Sequence, residues 1–393
     1  MVTSMVTSTS VRRRVLCVFG TRPEAIKMAL LSKALREEPD FETDVCVTAQ
    51  HRSMLDQVLS LFEVTPRFDL DVMKDNQGLA DITSRIVTKM TDVIREVRPD
   101  WLIVQGDTTT AFVAALAAFY ERVSVAHVEA GLRTGFKYSP WPEEMNRALV
   151  GRLADLHLPP TERARAALLR EDVPDDRIVV TGNTVVDALL WVSNKLDADA
   201  AARAELDRRF GFLDPGRRMI LITGHRRESF GKPFENMCHA FVDIVRAKPE
   251  VEILYPVHLN PNVQAPVKAI LAAAPEELRG RIHLIDPIEY LPFVYLMKRA
   301  TFIVTDSGGV QEEAPSLGKP VLVTRNDTER PEAVEAGTAK LIGTDRARIV
   351  EESLRLLDDE AHYRSMSKAH NPYGDGKANE RILSILRTAK GGA

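Results

Sequence analysis

The 393-residue chain is poor in the features that carry redox, metal and membrane functions. Its three cysteines are far apart, lie in or beside apolar runs and show no CxxC spacing, so we expect reduced core thiols rather than zinc ligands or a redox pair. No apolar run approaches the ~20 residues of a membrane span, and the amino terminus lacks the hydrophobic stretch of a secretory signal. These absences predict a cytoplasmic protein without a membrane partner.

Motifs for common cofactors are also missing. There is no GxGxxG after the first apolar run, no GxxxxGK[ST] and no HExxH, which disfavours bound NAD, ATP hydrolysis and zinc proteolysis. The net charge is −4, with acidic and basic residues interspersed, so no broad basic surface for nucleic acid is expected. We therefore predict no cofactor, no metal and no nucleic-acid partner, and any anion site must be local.

Apolar runs of strand length alternate with amphipathic helical stretches in two series. This repetition predicts an α/β fold of two Rossmann-like, doubly wound domains with parallel sheets. Ligands collect at the carboxyl ends of such strands, so two domains facing each other would form a cleft. Strands are predicted at Val15 to Phe19, Thr43 to Thr48, Trp101 to Val104, Val123 to Val128, Ile178 to Thr181, Met219 to Thr223, Glu252 to Val257, Arg281 to Ile285, Phe302 to Thr305, Val321 to Thr324 and Lys340 to Ile342.

The domain boundaries follow from the same pattern. We expect a disordered leader at residues 1–11, a first domain at 12–183 and a second at 184–377. The helical segment at 378–393 is predicted to dock back on the first domain.

The most informative segment is DSGGVQEE, residues 306–313, which follows an apolar run and leads into a helix. Adjacent glycines let a ligand approach the backbone, and N–H groups at a helix start bind phosphate. Glu313, one turn further on, could accept hydrogen bonds from both hydroxyls of a ribose. Together these features predict a nucleoside diphosphate site. The alternative is a turn whose glycines only permit tight packing.

Two other loops offer cations for an anionic ligand. Arg22 and Lys27 follow the first strand near a helix start, where cations oppose the helix dipole and a phosphate would explain them. Arg330 follows a later strand and could reach a phosphate or a ribose. The alternatives are solvated surface charge for the first pair and an ordinary polar loop for the second.

Three carboxylates come from successive loops of the first series, Asp107 and Glu129 at strand ends and Glu143 at the start of a helix. Asp107, Glu129 and Glu143 are predicted to lie close together, as acid and base groups would. Alternatively, Asp107 caps a helix, and Glu143 forms an ordinary i, i+4 salt bridge with Arg147. In the second series, His225 stands beside two arginines in a glycine-bounded loop, which suits an anion. His258 ends the next strand and is as readily structural.

These residues lie in motifs that resemble the non-hydrolysing UDP-N-acetylglucosamine 2-epimerases. The motifs occur in family order, from about Arg14 to Arg387: GTRPEAIKM, QHRSML, GDTTT, HVEAGLRT, PWPEEMNR, HRRESFG, PVHLNP, DSGGVQEEAPSLGKPVLV and TERPE. The resemblance implies a glycosyltransferase-B-like architecture, a homodimer and inversion at C2 of the sugar to give UDP-N-acetylmannosamine, a precursor of surface polysaccharide. UDP would be eliminated to leave 2-acetamidoglucal and then added back, without a redox cofactor.

The resemblance also implies residue roles. Asp107, Glu129 and Glu143 match the catalytic carboxylates, with acid and base unassigned, and His225 matches a group that stabilises the departing diphosphate. Substrate-binding positions are Arg22, Lys27, Arg147, Phe293 on the uracil side, Ser307, Gly308, Gly309, Glu313 and Arg330. Some relatives have Gln where this chain has Ile288, so base recognition here would rest on backbone groups near Phe293.

Bacterial relatives are activated by substrate at a second site, and this chain matches that site only in part. Gln50, Arg226 and His258 match, whereas Ser53 and Asn76 differ from at least some regulated relatives. Three other functions stay open: a hydrolysing epimerase, a UDP-sugar-dependent glycosyltransferase that shares the UDP site, and a non-catalytic nucleotide-sugar sensor.

Overall fold

The computed structural model describes residues 12–48, 52–73, 77–224 and 226–391. The predicted leader at 1–11 and the candidate residues Gln50 and His225 lie outside the described residues, as does Asn76. The described chain separates into two compact units. The first comprises the residues up to Asp187 together with those from Gly376 onward, and the second comprises Ala188–Asp375.

Twelve strands occur in the described part of the chain, six in each unit. Those of the first unit are Arg13–Phe19 (β1), Phe41–Val47 (β2), Phe68–Asp69 (β3), Trp101–Gln105 (β4), Ser124–Val128 (β5) and Leu156–Leu158 (β6). Those of the second are Arg218–Thr223 (β7), Val251–Pro256 (β8), Ile282–Ile285 (β9), Phe302–Thr305 (β10), Val321–Val323 (β11) and Ala339–Leu341 (β12).

Helices alternate with these strands. The first unit contains Arg22–Glu37 (α1), Arg52–Leu61 (α2), Leu79–Val97 (α3), Thr109–Tyr120 (α4), Glu143–Leu153 (α5) and Glu162–Arg170 (α6), and Thr184–Ala198 (α7) leads out of it. The second contains Ala200–Arg209 (α8), Lys232–Ala247 (α9), Pro261–Ile270 (α10), Glu276–Arg279 (α11), Tyr290–Arg299 (α12), Gly308–Glu313 (α13), Pro331–Glu335 (α14), Arg346–Asp358 (α15) and Glu360–Ser367 (α16). The last helix, Ala378–Thr388 (α17), belongs to the first unit.

Both sheets have the same topology. Their strand orders are β3-β2-β1-β4-β5-β6 and β9-β8-β7-β10-β11-β12, and every strand pair among the described residues is parallel. In each sheet the direction of winding reverses beside the first strand of the unit, between β1 and β4 or between β7 and β10. This is the strand order of a doubly wound Rossmann-like sheet. The predicted fold class is confirmed.

Each unit has its own apolar core. In the first, Ile86 and Met90 of α3 pack with the alanine-rich α4, whose small side chains let helix and sheet approach closely. In the second, Phe234, Phe241 and Val245 of α9 repeat at helical spacing and face the buried strands. The near-continuous apolar strands follow from burial on both faces of a parallel sheet.

One predicted strand is wrong. The run Ile178 to Thr181 forms only an isolated bridge, with Ile178 beside His157 of β6. A longer ladder is blocked because Pro159 and Pro160, which follow β6, have no N–H to donate. The sixth strand of the first sheet is instead the three-residue β6.

The carboxyl-terminal helix is held by charged contacts within the first unit. Asp187 of α7 accepts hydrogen bonds from the backbone N–H groups of Ala378 at 3.2 Å and Asn379 at 2.8 Å, at the start of α17. At its other end, Arg387 pairs with Asp40 at 2.9 Å.

Among the described residues, no helix has both the length and the apolar character needed to cross a membrane.

Candidate active site

The loops after β1 and β4 are joined by a buried carboxylate, Glu24. Its Oε2 accepts hydrogen bonds from Thr21 N and Thr21 Oγ1, both at 2.8 Å, and from Gly20 N at 3.1 Å. Its Oε1 accepts one from Thr108 Oγ1 at 2.6 Å. Burial raises the pKa of Glu24, and these hydrogen bonds oppose the rise. The capping-box pattern Thr21-x-x-Glu24 could have identified this residue, to which the sequence analysis gave no role.

Gly20 lets these loops approach closely. A Cβ atom at Gly20 would lie 2.0 Å from Thr48 Oγ1 and 2.6 Å from Thr110 Oγ1, two hydroxyls that are hydrogen-bonded to each other at 2.8 Å. Any residue larger than glycine at this position would push apart the loops after β1, β2 and β4.

Asp107 does not cap α4, contrary to the alternative drawn from the sequence. The N-cap is Thr108, whose hydroxyl accepts a hydrogen bond from Ala111 N at 3.0 Å. The Asp107 carboxylate instead pairs with Arg147 of α5, with 3.0 Å between Oδ2 and Nη2. The side chain of Asp107 is 29% exposed, whereas that of Arg147 is 6% exposed.

Glu129 follows β5 in a backbone conformation that is rare for a residue with a side chain. Its φ is 62°, in the left-handed region, and its side chain is buried. Both Lys27 Nζ and Asn183 Nδ2 contact the same oxygen, Oε2, the latter at 2.8 Å. Such strain persists only where surrounding contacts impose it. Lys27, predicted to contact phosphate, thus has a carboxylate partner within the first unit.

Arg147 connects α5 to the other carboxylates. Besides pairing with Asp107, its Nε lies 3.6 Å from Glu144 Oε2 and donates a hydrogen bond to the backbone carbonyl of Glu143 at 3.4 Å. Arg147 therefore does more than pair with Glu143 within its own helix, because it also forms an ion pair with Asp107 in the loop after β4.

Glu144, which the sequence analysis did not single out, organises the loop before α5. Its carboxylate accepts hydrogen bonds from the backbone N–H groups of Thr134 at 3.1 Å and Gly135 at 2.9 Å. Earlier in this loop, Gly131 has a φ of 87°, and a Cβ there would lie 2.2 Å from the carbonyl oxygen of Ala164. The path from Glu129 to Glu143 is therefore fixed at both ends.

The electrostatics of Asp107 show that the predicted groups act on one another. Burial raises the pKa of its carboxyl, and the charges of Glu129 and Glu143 raise it further, while Arg147 and Lys27 lower it. The net shift is upward. The structure thus brings together the three predicted carboxylates and two of the predicted cations.

A buried histidine supports the loop before Asp107. His127 Nε2 donates a hydrogen bond to the carbonyl oxygen of Gly106 at 2.7 Å, and His157 lies beside it on β6. Burial lowers the pKa of His127 to about 3 and that of His157 to about 4, so both rings are neutral at physiological pH.

In the second unit, the two glycines after β10 are not required by packing. A Cβ at Gly308 would lie 3.8 Å from Arg330 Cζ, and one at Gly309 would lie 3.6 Å from Glu313 Oε2, both ordinary contacts. Neither glycine has a positive φ. Ser307, the N-cap of α13, makes no side-chain capping hydrogen bond. The tight-packing alternative therefore fails, and these features leave room for a ligand at the backbone.

The charged side chains around these glycines have partners within the second unit. Arg330 faces Gly308 and forms an ion pair with Glu312, a buried residue that sequence reasoning missed. Tyr290 Oη donates a hydrogen bond to Glu313 Oε1 at 2.6 Å. Phe293 lies in the first turn of α12, three residues after Tyr290.

The remaining predicted positions are placed as follows. Arg226 donates its backbone N–H to Asp306 Oδ2 at 2.8 Å, and His258 is exposed with its Nδ1 accepting a hydrogen bond from Asn260 N at 3.1 Å. Arg22 lies half-buried at the start of α1. Among the described residues, no group of three or more His, Cys, Asp or Glu side chains is arranged to hold a metal ion.

The first of the two Rossmann-like units carries clustered carboxylates, and the second carries an accessible glycine turn beside an arginine, the features expected of an acid–base site and of a nucleoside diphosphate site. The profile of the UDP-N-acetylglucosamine 2-epimerase family matches residues 33–387. The chain is 59% identical over 374 residues to the UDP-N-acetylglucosamine 2-epimerase of Escherichia coli K12, covering 95% of this chain and 98% of that protein.

Solved structures give the same result. The UDP-GlcNAc 2-epimerase of Neisseria meningitidis bound to UDP-GlcNAc is similar with a TM-score of 0.89 and 48% identity, over 96% of this chain and 100% of that one. The enzyme of Methanocaldococcus jannaschii in complex with UDP-GlcNAc and UDP has a TM-score of 0.79 and 31% identity, over 96% and 100%. The chain belongs to the UDP-N-acetylglucosamine 2-epimerase family.

Proposed function

We propose that this chain interconverts UDP-N-acetylglucosamine and UDP-N-acetylmannosamine without net hydrolysis. UDP leaves C1 as a proton leaves C2, which gives 2-acetamidoglucal, and protonation of the opposite face with return of UDP completes the inversion. The product would serve surface polysaccharide synthesis in the cytoplasm, as predicted from the sequence. Family membership supports the overall reaction, and the carboxylates of the first unit support the proton transfers.

One observation carries this proposal: Asp107 and Glu129 interact electrostatically but lie in different environments. Inversion at C2 needs one group that removes a proton and another that supplies one, and carboxyl groups acquire these roles through unlike surroundings. Glu129 has a cation and an amide donor on one oxygen, which favours its ionised form. The pKa of Asp107 is raised by burial and by two neighbouring carboxylates, which favours its protonated form.

In this proposal Glu129 removes the C2 proton in one direction and Asp107 delivers a proton from the other side. The roles exchange in the reverse reaction, because each step must run backwards through the same groups. Burial keeps the pKa of Asp107 high, and the charges of Glu129 and Glu143 add to the rise. Arg147 holds the Asp107 carboxylate whenever it is ionised. His225 would stabilise the departing diphosphate.

The second unit would bind UDP. The backbone of Ser307, Gly308 and Gly309 would receive the diphosphate, with Arg330 beside it, since a backbone without Cβ atoms admits a ligand and supplies N–H donors. Glu313 would accept hydrogen bonds from the ribose. Phe293 would lie on the uracil side.

Two further features belong to the proposal. By family resemblance the chain forms a homodimer, which sedimentation velocity tests: a single species of about twice the 43.8-kDa chain mass is expected, and a monomer contradicts it. Substrate also acts, in this proposal, as an activator at a second site through Gln50, Arg226 and His258. Activation predicts a sigmoidal dependence of rate on UDP-N-acetylglucosamine, whereas a hyperbolic curve contradicts it.

Product analysis tests the reaction itself. Purified protein incubated with UDP-N-acetylglucosamine alone should give an equilibrium mixture of the two UDP-sugars, resolved by anion-exchange chromatography. Accumulation of UDP and free N-acetylmannosamine would instead identify a hydrolysing epimerase. Conversion only in the presence of a sugar acceptor would identify a glycosyltransferase.

A further inference from the structure

Asn183 is the buried polar residue that supplies the amide donor to Glu129. It stands directly before α7 and is 1% exposed. Its side-chain amide forms hydrogen bonds with groups of two different kinds. Nδ2 donates to Glu129 Oε2 at 2.8 Å, and Oδ1 accepts a hydrogen bond from Val185 N at 3.2 Å.

The second of these contacts fixes the first. Because Oδ1 is held by a backbone N–H at the start of α7, the amide group cannot turn without losing that hydrogen bond, and Nδ2 stays directed at Glu129. The donor thus comes from the residue before α7, which is 54 residues from Glu129 in the sequence.

The contact also orients the Glu129 carboxylate. Asn183 and Lys27 both approach Oε2, which sets the rotation of the carboxylate plane. The other oxygen, Oε1, lies toward the loop after β4: a Cβ at Gly106 would be 4.0 Å from it. Oε1 is therefore the oxygen on the side of Asp107.

We propose that Asn183 is a positioning residue for the proton transfer, which holds Glu129 ionised and directs its Oε1 toward the loop of Asp107. The inference rests on the proposed function for its catalytic consequence, though not for the contact itself. Lys27 supplies a positive charge next to Oε2, and Asn183 supplies the hydrogen bond that orients the carboxylate. Without the amide, the carboxylate loses the hydrogen bond that helps to set its orientation.

Asn183→Asp is the most direct test. The aspartate keeps an oxygen for Val185 N and replaces the donor by a second acceptor, so it separates the contact with Glu129 from the capping contact. Two adjacent carboxylates resist ionising together. We expect kcat to fall about 10- to 100-fold, the scale for a lost hydrogen bond to a charged group, with the acidic limb of the pH profile moved to higher pH.

A second variant and a control complete the design. Asn183→Ser keeps a capping oxygen and removes the donor without adding charge, so kcat should fall while the acidic limb moves less. The control is Asn194→Asp, the same substitution at an exposed position further along α7. It should leave both kcat and the pH profile unchanged. Thermal melts establish that each variant is folded, and Asn183→Ser decides the matter if Asn183→Asp does not fold.

Carbon-13 NMR titration of the Glu129 carboxyl gives a readout that is independent of turnover. Its midpoint should rise in Asn183→Asp relative to the wild type. A folded variant with an unmoved midpoint and an unchanged pH profile overturns the inference. Failure of the wild type to form UDP-N-acetylmannosamine overturns the proposed function instead, and the two failures are therefore distinguishable.

Discussion

The two units share one topology but differ in what their loops hold at the carboxyl ends of the central strands. After β4 in the first unit, Thr108 caps its own helix and leaves Asp107 to pair with Arg147. At the equivalent place after β10 in the second unit, Ser307 makes no side-chain cap, and two glycines follow. The first loop is closed by its own side chains, and the second leaves its backbone accessible.

The next loop along each sheet differs in the same sense. After β5, a carboxylate, Glu129, is held in strained backbone by two donors. After β11, the loop carries arginines, and Arg330 faces Gly308. One strand order therefore supports two kinds of chemistry, because the sheet fixes only where a loop lies and the loop residues decide what it does. Carboxylates suit proton transfer, and glycines with arginines suit a diphosphate.

The largest expected effect comes from removing charge in the first unit. Asp107→Asn, Glu129→Gln and Glu143→Gln should each lower kcat by about 100-fold or more, the scale of general acid–base catalysis, and leave UDP affinity intact. The control is Glu205→Gln, at an exposed position on α8. Steady-state kinetics and calorimetric UDP titration measure the two quantities. Near wild-type turnover in all three variants would show that the carboxylates are structural.

The matching change in the second unit should affect affinity. Glu313→Gln keeps an oxygen for the Tyr290 hydroxyl but loses the carboxylate, so UDP should bind about 10- to 100-fold more weakly, as expected for a lost charge-assisted hydrogen bond. Calorimetric titration measures this, again with Glu205→Gln as control. Unchanged UDP affinity would remove Glu313 from the site. Arg330→Ala is a poorer probe because it leaves buried Glu312 without its cation.

Sequence reasoning recovered the fold because strands buried on both faces of a parallel sheet are continuously apolar and easily recognised. It missed the short strands β3 and β6, which have two and three residues, and assigned a strand at Ile178 to Thr181. The predicted carboxylates lie together because Asp107 and Glu129 follow neighbouring strands of one sheet and Glu143 begins the helix after the second of these strands. Glu24 lies in a capping-box pattern that was given no role. Glu144 and Asn183 were not found, because their importance lies in contacts with other loops that one sequence does not display.

A pair of glycine substitutions sharpens the comparison further. Gly308→Ala introduces no clash within the protein, so the melting temperature should be unchanged or slightly higher, while UDP affinity falls because the Cβ occupies ligand space. Gly131→Ala should instead destabilise the first unit by more than about 1 kcal/mol, since φ is 87° and the Cβ meets a backbone oxygen. Thermal melts and UDP titration distinguish them. A destabilised Gly308→Ala with intact UDP affinity would restore the packing interpretation.

Acid should affect the two units over different pH ranges. Burial lowers the pKa of His127 to about 3 from 6.5, so the unfolded chain takes up a proton that the folded one does not, and stability of the first unit is lost as pH falls below 6.5. In the second unit, burial opposes ionisation of Glu329, but the charges of Arg325, Arg330 and Arg226 lower its pKa from 4.5 to about 2. The ionised Glu329 therefore stabilises the second unit at neutral pH, and this stabilisation is lost only as pH falls below 4.5. Hydrogen exchange at a series of pH values, corrected for intrinsic rates, should show strands β5 and β6 losing protection first. Earlier loss of protection around β11 would contradict the view that His127 and Glu329 set the acid sensitivity of their units.

The central claim is that the carboxylates of the first unit break and remake the C2–H bond. The most direct test is a proton NMR time course with UDP-N-acetylglucosamine in deuterium oxide, without NAD or metal. We expect deuterium to enter C2 as UDP-N-acetylmannosamine forms, and both to be lost in Glu129→Gln. Epimerisation that leaves the C2 proton in place, or incorporation that depends on added NAD, would contradict elimination and re-addition of UDP.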